Sequence, residues 1–314
     1  MRMIAGLLIA VVLAASGAAA QDPSSRFHSG VDLVGLNVVV TDPQGHLVSG
    51  LASTDFAVLE DGVPQDISLF AVVPAPIDLA LLLDSSSSMS DKIATVQQAA
   101  VGFTSVVRPG DRISVVEIKD AIKVLHPLDE DVAGARHAIG ATIPRGNTSL
   151  YNGIYMTLKE LVKQRTDGEI RRQAIVVLTD GDDTSSIVAF DDLMELAKHA
   201  GVAIYTITLR TSYVTPSVFT RDPRSHAESV FAMKALAFET GAKAFFPAAL
   251  GQLAGVYDMI AEELSKQYLV GYAPKNPLRD GSYRRVSVRV DRPGIRARTR
   301  AGYVATPLPA SASH

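Results

Sequence analysis

The chain has 314 residues, of which 47% are hydrophobic, and this composition is sufficient for a packed core in one large domain or two modest ones. Its 30 basic and 33 acidic residues give a formal net charge of −3, and no dense run of lysine and arginine occurs, which argues against a nucleic-acid-binding protein. Cysteine is absent, so the sequence excludes disulfides and thiolate metal sites.

The first 20 residues have the pattern of a secretory signal peptide. Arg2 precedes an apolar stretch over residues 4–15, and the three alanines at 18–20 form a small-residue cleavage site before Gln21. The apolar stretch has about 12 residues, whereas a membrane-spanning helix needs about 20. We therefore predict an exported protein, periplasmic or secreted, with an uncleaved membrane anchor as the alternative. No later segment is long and apolar enough to cross a bilayer, so no membrane span is predicted in the mature chain.

Short strands are predicted on both sides of a central region. On the N-terminal side, residues 28–74 contain β-branched segments separated by the turn signals Asp42-Pro43-Gln44-Gly45 and Asp61-Gly62-Val63-Pro64. On the C-terminal side, residues 267–304 contain segments in which apolar and polar residues alternate. We predict that the two sets pair into one β-sandwich, with the central region inserted in it. Residues 305–314 are predicted to be a disordered tail.

The central region, residues 77–266, has a different pattern, in which strands and helices alternate. Residues 77–84 form an almost unbroken apolar run, which is typical of a strand buried on both faces of a parallel sheet. Helices are predicted over residues 93–107 and, at the end of the region, over residues 251–266. Residues 112–125 predict a hairpin with one antiparallel edge strand. The predicted fold class is therefore α/β, with a doubly wound, mostly parallel sheet inserted in the β-sandwich.

Oxygen-bearing side chains are predicted to meet at one edge of this sheet. Asp84 ends the first buried strand and starts an Asp-x-Ser-x-Ser sequence with Ser86 and Ser88, while Thr148 lies in a later loop and Asp180 ends a second buried strand. Ligand sites in open α/β sheets lie beyond the carboxyl ends of the strands. Carboxylates and hydroxyls suit Mg²⁺, with Mn²⁺ or Ca²⁺ as alternatives, and do not suit Zn²⁺ or copper. A cation held by few protein ligands keeps an open position for a carboxylate of another molecule.

These residues resemble the metal-ion-dependent adhesion site of von Willebrand factor A domains, and the resemblance covers residues 77–266. The flanking sequences, among them Asp61-Gly62 and Gly302-Tyr303, are similar to those of exported bacterial proteins of the acidobacterial type that are related to this family. The resemblance implies a Rossmann-like fold and a Mg²⁺ ion that binds an Asp or Glu side chain of a partner protein, without catalysis. The resemblance implies that Asp84, Ser86 and Ser88 are metal ligands, that Thr148 is a ligand in the open state, and that Asp180 binds the metal directly or through water.

Two other functions stay open at this point. Oxygen-ligated Mg²⁺ also serves hydrolases and enzymes that process phosphoesters. However, Ser86 occupies the second position of the Asp-x-Asp sequence of phosphate-transfer sites, and neither a P-loop nor a Gly-x-Ser-x-Gly motif occurs. The third function is a scaffold whose metal is incidental. Among single residues, Asp182 and Asp183 are expected either to orient metal ligands or to be solvated loop charges.

The segment over residues 210–227 is long for a connection between a strand and a helix, for which about 2–6 residues are usual. It leaves the C-terminal end of its strand, so we expect it to border the metal and to set the specificity for the partner, with disorder as the alternative. The residues predicted to contact the partner are Tyr213, Val214, Val218 and Phe219.

Overall fold

The computed structural model describes residues 33–72, 75–166, 171–180, 183–209 and 223–306. The predicted signal peptide, most of the predicted tail and the four predicted contact residues of the long connection lie outside these ranges: Tyr213, Val214, Val218 and Phe219. Within the described ranges, no helix has the length and apolar character needed to cross a membrane.

The described residues form fourteen strands and six helices. The strands are β1 Val34–Thr41, β2 Phe56–Glu60, β3 Val63–Gln65, β4 Ile67–Ala71, β5 Ile77–Asp84, β6 Arg112–Ile118, β7 Lys123–Asp129, β8 Arg172–Thr179, β9 Ala203–Thr208, β10 Ala244–Phe245, β11 Tyr268–Tyr272, β12 Tyr283–Val290, β13 Arg296–Arg298 and β14 Gly302–Val304. The helices are α1 Ile93–Phe103, α2 Val132–Gly140, α3 Leu150–Lys163, α4 Phe190–Ala200, α5 Pro223–Glu239 and α6 Leu253–Ser265.

The central sheet has the strand order β10-β9-β8-β5-β6-β7, and only β7 runs antiparallel to its neighbour. Every residue of β5 and β8 is buried, because helices cover both faces of the sheet. Leu81 of β5 lies in one core with α1, α2 and α6, while Leu82 lies in a second core with α3, α4 and α5. The predicted doubly wound α/β fold is confirmed, together with its antiparallel edge strand.

Two antiparallel sheets are formed by the strands on either side of this α/β part. One has the order β13-β1-β11-β4 and the other β14-β12-β2-β3, so each contains strands from before and after the central region. Side chains of both sheets, such as Leu36, Val58 and Val288, form a third hydrophobic core. The predicted insertion of the α/β part into a β-sandwich is therefore confirmed. The limits predicted for each domain remain predictions.

The turn between β2 and β3 is shorter than predicted. Asp61 and Gly62 have φ values of 47° and 83°, and a two-residue hairpin turn of this kind requires positive φ at both central positions. Val63 and Pro64, which the sequence predicts to lie in the turn, belong to β3, where Val63 pairs with Glu60. The tight turn thus adds a strand to the second sheet.

Helix boundaries also differ from the prediction, most of all at the end of α1 and at the start of α5. α1 ends at Phe103 instead of residue 107, because the Thr104 hydroxyl donates to the carbonyl of Val101 and the chain tightens into a short 3-10 turn. α5 begins at Pro223, so the predicted connection over residues 210–227 ends earlier than expected. Proline is favoured in the first turn of a helix, where its missing N–H costs no hydrogen bond.

Candidate metal centre

Asp84 lies at the C-terminal end of β5 and is completely buried. One carboxylate oxygen accepts a hydrogen bond from the Ser86 amide at 2.9 Å, and the other accepts from the Thr179 hydroxyl at 2.7 Å. Burial and the nearby charge of Asp180 raise the pKa of Asp84 to about 6. A bound cation would compensate the burial of the Asp84 charge and its repulsion by Asp180. The surroundings of Asp84 are therefore suited to a metal ligand.

The loop after β5 turns two hydroxyl groups to one side. The Oγ atoms of Ser86 and Ser88 lie 3.1 Å apart, whereas Ser87 between them is exposed. The next residue, Met89, is completely buried in the core below and fixes the loop to the domain. The Ser85 hydroxyl is not part of this pair, since it donates to Glu117 at 2.8 Å. The alternate spacing of the two serines therefore places both oxygens on the side of Asp84.

The loop that carries Thr148 lies directly against the serine loop. The Ser87 amide donates to the carbonyl of Gly146 at 3.0 Å, and the Arg145 amide donates to the carbonyl of Ser85 at 2.8 Å. Thr148 itself is buried. The structure thus brings Thr148 to the edge of the sheet occupied by Asp84 and the serines, through contacts between the two loop backbones.

Asp180 follows β8, the strand next to β5, and is completely buried beside Asp84. One of its oxygens lies 3.5 Å from the ammonium group of Lys92, which is also completely buried and donates to the Ser88 carbonyl at 2.6 Å. Lys92 was not predicted as a site residue. A signal was present, because Lys92 directly precedes α1, and a positive charge at a helix N-terminus is unfavourable unless a carboxylate compensates it.

Asp183 is half-buried and is not a solvated loop charge, so that alternative is wrong for this residue. Its carboxylate accepts a hydrogen bond from the Leu150 amide at 2.8 Å, at the N-terminus of α3, and burial raises its pKa. The Ser186 hydroxyl accepts from the Asn152 amide in the same turn. Asp183 therefore fixes the start of the helix that follows Thr148. Asp182 lies outside the described residues.

The donor set of this site fits a hard divalent cation. It consists of carboxylate and hydroxyl oxygens, which Mg²⁺, Mn²⁺ and Ca²⁺ prefer. The described part of the chain contains no cluster of three or more His, Cys, Asp or Glu side chains suited to a metal. A site at this edge would therefore depend on the hydroxyls of Ser86, Ser88 and Thr148 in addition to the two aspartates.

Gly146 lies where the loop that carries Thr148 passes closely over Asp120, and its carbonyl accepts the hydrogen bond of the Ser87 amide. Its φ is +75°, and a Cβ added there would overlap the carboxylate of Asp120. We expect Gly146→Ala to lower the free energy of unfolding by about 1–3 kcal/mol and to weaken the binding of divalent cations. Urea denaturation and calorimetric titration with Mn²⁺ measure the two effects. Gly140→Ala is the control, since Gly140 lies in α2 and a Cβ there meets no atom within 4 Å. Equal stability of the two variants would contradict the prediction.

Residues 79–182 match the family model of the von Willebrand factor type A domain. This range contains all five predicted ligands, which are Asp84, Ser86, Ser88, Thr148 and Asp180. A search of curated proteins finds no match for the chain. The similarity to the exported acidobacterial proteins stays a prediction.

Solved structures are similar to this protein at low sequence identity. A von Willebrand factor type A protein from Catenulispora acidiphila has 14% identity and a TM-score of 0.50, over 89% of this chain and 64% of that one. The vWF domain of the type V pilus tip protein Mfa5 from Porphyromonas gingivalis has 16% identity and a TM-score of 0.49, over 61% of this chain and 95% of that one. Proximal thread matrix protein 1 from the mussel byssus, solved with a zinc-occupied MIDAS motif, has 15% identity and a TM-score of 0.49, over 66% and 50%. The chain thus spans half of the byssus protein, and the likeness to the Catenulispora protein supports the fold alone.

Proposed function

We propose that this protein is an exported, metal-dependent binding module of the adhesion type. In this proposal a divalent cation, Mg²⁺ or alternatively Mn²⁺ or Ca²⁺, binds at the C-terminal edge of the central sheet and receives an Asp or Glu side chain of a partner protein. The observation that carries the proposal is the meeting of two completely buried aspartates, Asp84 and Asp180, with the paired hydroxyls of Ser86 and Ser88. Export is proposed from the signal-peptide pattern of residues 1–20.

The residues around the site have separate tasks in this proposal. The bound cation supplies a positive centre that accepts a carboxylate oxygen of the partner. Thr179 orients the carboxylate of Asp84 through its hydrogen bond, and the Gly146 carbonyl holds the serine loop through the Ser87 amide. The residues that would hold the cation are Asp84, Ser86, Ser88, Thr148 and Asp180.

Binding without catalysis is the proposed activity, because the neighbouring carboxylates already have structural partners. Glu117 is buried and accepts from the Ser85 hydroxyl at 2.8 Å, and it pairs with the Lys119 ammonium at 2.7 Å. Asp120 accepts a hydrogen bond from the Asn147 amide at 2.9 Å. A general base must lie within hydrogen-bond reach of the proton that it removes. Both carboxylates instead fix the loops, which supports a binding role.

Cation binding is tested by calorimetric titration of the protein with Mg²⁺ and with Mn²⁺. We expect the double variant Ser86→Ala/Ser88→Ala to bind each ion at least about tenfold more weakly, because it loses two of the few protein oxygens. Ser87→Ala is the matched control, since its exposed hydroxyl lies between the other two. Wild-type protein that binds neither ion would overturn the proposal, and so would an equal loss of affinity in Ser87→Ala.

Partner binding is tested by capture from envelope and secreted fractions of the source cells, once in Mg²⁺ and once in EDTA. We expect a captured protein that is lost in EDTA and with the double serine variant, and that is retained with Ser87→Ala. Capture that is the same with and without chelator would favour the scaffold function. Turnover of phosphoester substrates that is abolished by Asp84→Ala would favour the hydrolase function.

A further inference from the structure

Lys92 is a lysine with no exposed side-chain surface, and lysines are rarely buried to this extent unless they are paired. Its ammonium group lies 2.6 Å from the carbonyl oxygen of Ser88, 3.5 Å from a carboxylate oxygen of Asp180 and 3.8 Å from a carboxylate oxygen of Asp91. Two of these three neighbours belong to the candidate metal centre. A fixed positive charge therefore lies inside the site, 3.5 Å from a carboxylate that would hold a divalent cation.

Among the described side chains that contact the two aspartates and the two serines, the charges do not balance when a divalent cation is added, and Asp120 and Asp183 bind loop amides instead. Asp84 and Asp180 together neutralise the cation, and Glu117 is neutralised separately by Lys119. The charge of Lys92 then remains in excess. Asp91 offsets it only in part, since the Asp91 side chain is half exposed and water screens its charge. The loaded site would thus carry about one positive charge beyond its own carboxylates, in a buried environment where charges interact strongly.

We propose that Lys92 is a specificity-determining positive charge of the metal centre. Its excess charge makes the cation-loaded site bind an anionic carboxylate in preference to neutral oxygen ligands such as water or an amide. The same charge repels the cation itself and so keeps its affinity moderate. This inference rests on the proposed function and deepens it, because it gives the reason why the open position selects an acidic side chain.

A purely structural role for Lys92 would give a different result. Loss of a structural contact would weaken the binding of the cation and of the carboxylate together. Loss of a repelling charge strengthens the first and weakens the second. If Lys92 acts through its charge, a neutral variant binds the cation more tightly and the carboxylate more weakly. If its role is structural, both affinities fall.

The test uses the whole chain, with Mn²⁺ and acetate as probes. Mn²⁺ affinity is measured by calorimetry, and acetate binding is measured by the water-proton relaxation of the Mn²⁺-loaded protein, since acetate displaces bound water. For Lys92→Met we expect Mn²⁺ binding that is about tenfold tighter and acetate binding that is about tenfold weaker. In EDTA we also expect a lower melting temperature than for the surface control Lys266→Met, because the buried carboxylates lose their resident counter-charge.

A second variant and a chemical rescue separate charge from shape. Lys92→Gln keeps a donor for the Ser88 carbonyl without the charge, so it replaces Lys92→Met if the latter does not fold. Because the chain has no cysteine, Lys92→Cys can be alkylated at one place in denaturant and refolded. Aminoethylation restores a lysine-length cation, whereas propylation gives a neutral side chain of the same length. We expect the aminoethylated protein to bind Mn²⁺ and acetate as the wild type does. We expect the propylated protein to bind both as Lys92→Met does.

The outcomes distinguish this inference from the proposed function. Wild-type protein that binds no Mn²⁺ would overturn the proposed function, and the inference with it. Wild-type protein that binds Mn²⁺, with neutral Lys92 variants that bind it no more tightly, would overturn the inference alone. Acetate affinity that is equal in the aminoethylated and propylated proteins would also overturn the inference.

Discussion

In the absence of divalent cations, Asp84 is expected to destabilise the folded protein by about 3 kcal/mol as the pH rises from about 4 to about 7. Burial and the charge of Asp180 raise the pKa of Asp84 to about 6 in the folded state. The folded protein therefore holds a proton that the unfolded chain releases near pH 4. This contribution to stability is fully present below the unfolded pKa and is lost as the pH rises through about 6.

The measurement is the free energy of unfolding by urea in EDTA across this pH range, for the wild type and for Asp84→Asn. Asparagine imitates the protonated carboxyl group, so the difference between the two proteins isolates the titration of Asp84 from that of other groups. We expect the free energy of unfolding of Asp84→Asn to rise relative to that of the wild type as the pH rises. In saturating Mg²⁺ we expect the wild type to be the more stable protein, because a bound cation stabilises its folded state.

Asp78, at the other end of β5, provides a control of opposite sign. Burial acts to raise its pKa, but the hydrogen bonds and charges of Arg112 and Arg171 outweigh this and hold the pKa of Asp78 below its ordinary value. Its contribution to stability is therefore present above the unfolded pKa and is lost as the pH falls. Asp78→Asn should thus lose stability relative to the wild type at neutral pH. The same pH dependence in both variants would contradict the assignment of Asp84.

The sequence was sufficient to predict the fold class because its main signals are local. The apolar runs of β5 and β8 identify buried strands of a parallel sheet, and the change of pattern near residue 77 identifies an inserted α/β part. The three-residue strand β14 was not predicted. Gly302 in β14 packs against the backbone of Arg284, and a contact between such distant segments leaves no periodic pattern in so short a strand.

Most residues of the candidate site were predictable because they follow strand ends, and Thr148, in the loop before α3, was predicted beside them. Asp84, Ser86, Ser88 and Asp180 could be singled out, because the carboxyl ends of adjacent parallel strands meet at one edge. The residue that caps the N-terminus of α3 could not be predicted. The N-cap residue of this helix makes no side-chain cap, and the Leu150 amide is satisfied by a carboxylate that comes from a distant loop. Lys92 has a local signal at the start of α1, but the sequence does not identify its partner Asp180, which is 88 positions away.

The second large effect is expected in the β-sandwich, at a buried ion pair. Glu60 and Arg284 are both almost completely buried, and their charged groups lie 3.1 Å apart. The other oxygen of Glu60 accepts hydrogen bonds from the hydroxyls of Tyr272 at 2.7 Å and Tyr303 at 2.9 Å. These four residues lie in β2, β11, β12 and β14, so one carboxylate of an N-terminal strand of the second sheet connects to C-terminal strands of both sheets.

Glu60→Ala is expected to lower the free energy of unfolding by about 3–5 kcal/mol, because it leaves a buried guanidinium without its counter-charge. The loss of an acceptor for the Tyr272 and Tyr303 hydroxyls adds to this cost. Urea denaturation measures the effect. Arg292→Ala is the control, since it breaks the exposed ion pair with Asp55 near the ends of the same two paired strands, β2 and β12, and should cost less than about 1 kcal/mol. Equal free energies of unfolding for Glu60→Ala and Arg292→Ala would contradict the proposed role of the Glu60 carboxylate in joining β2 to β11, β12 and β14.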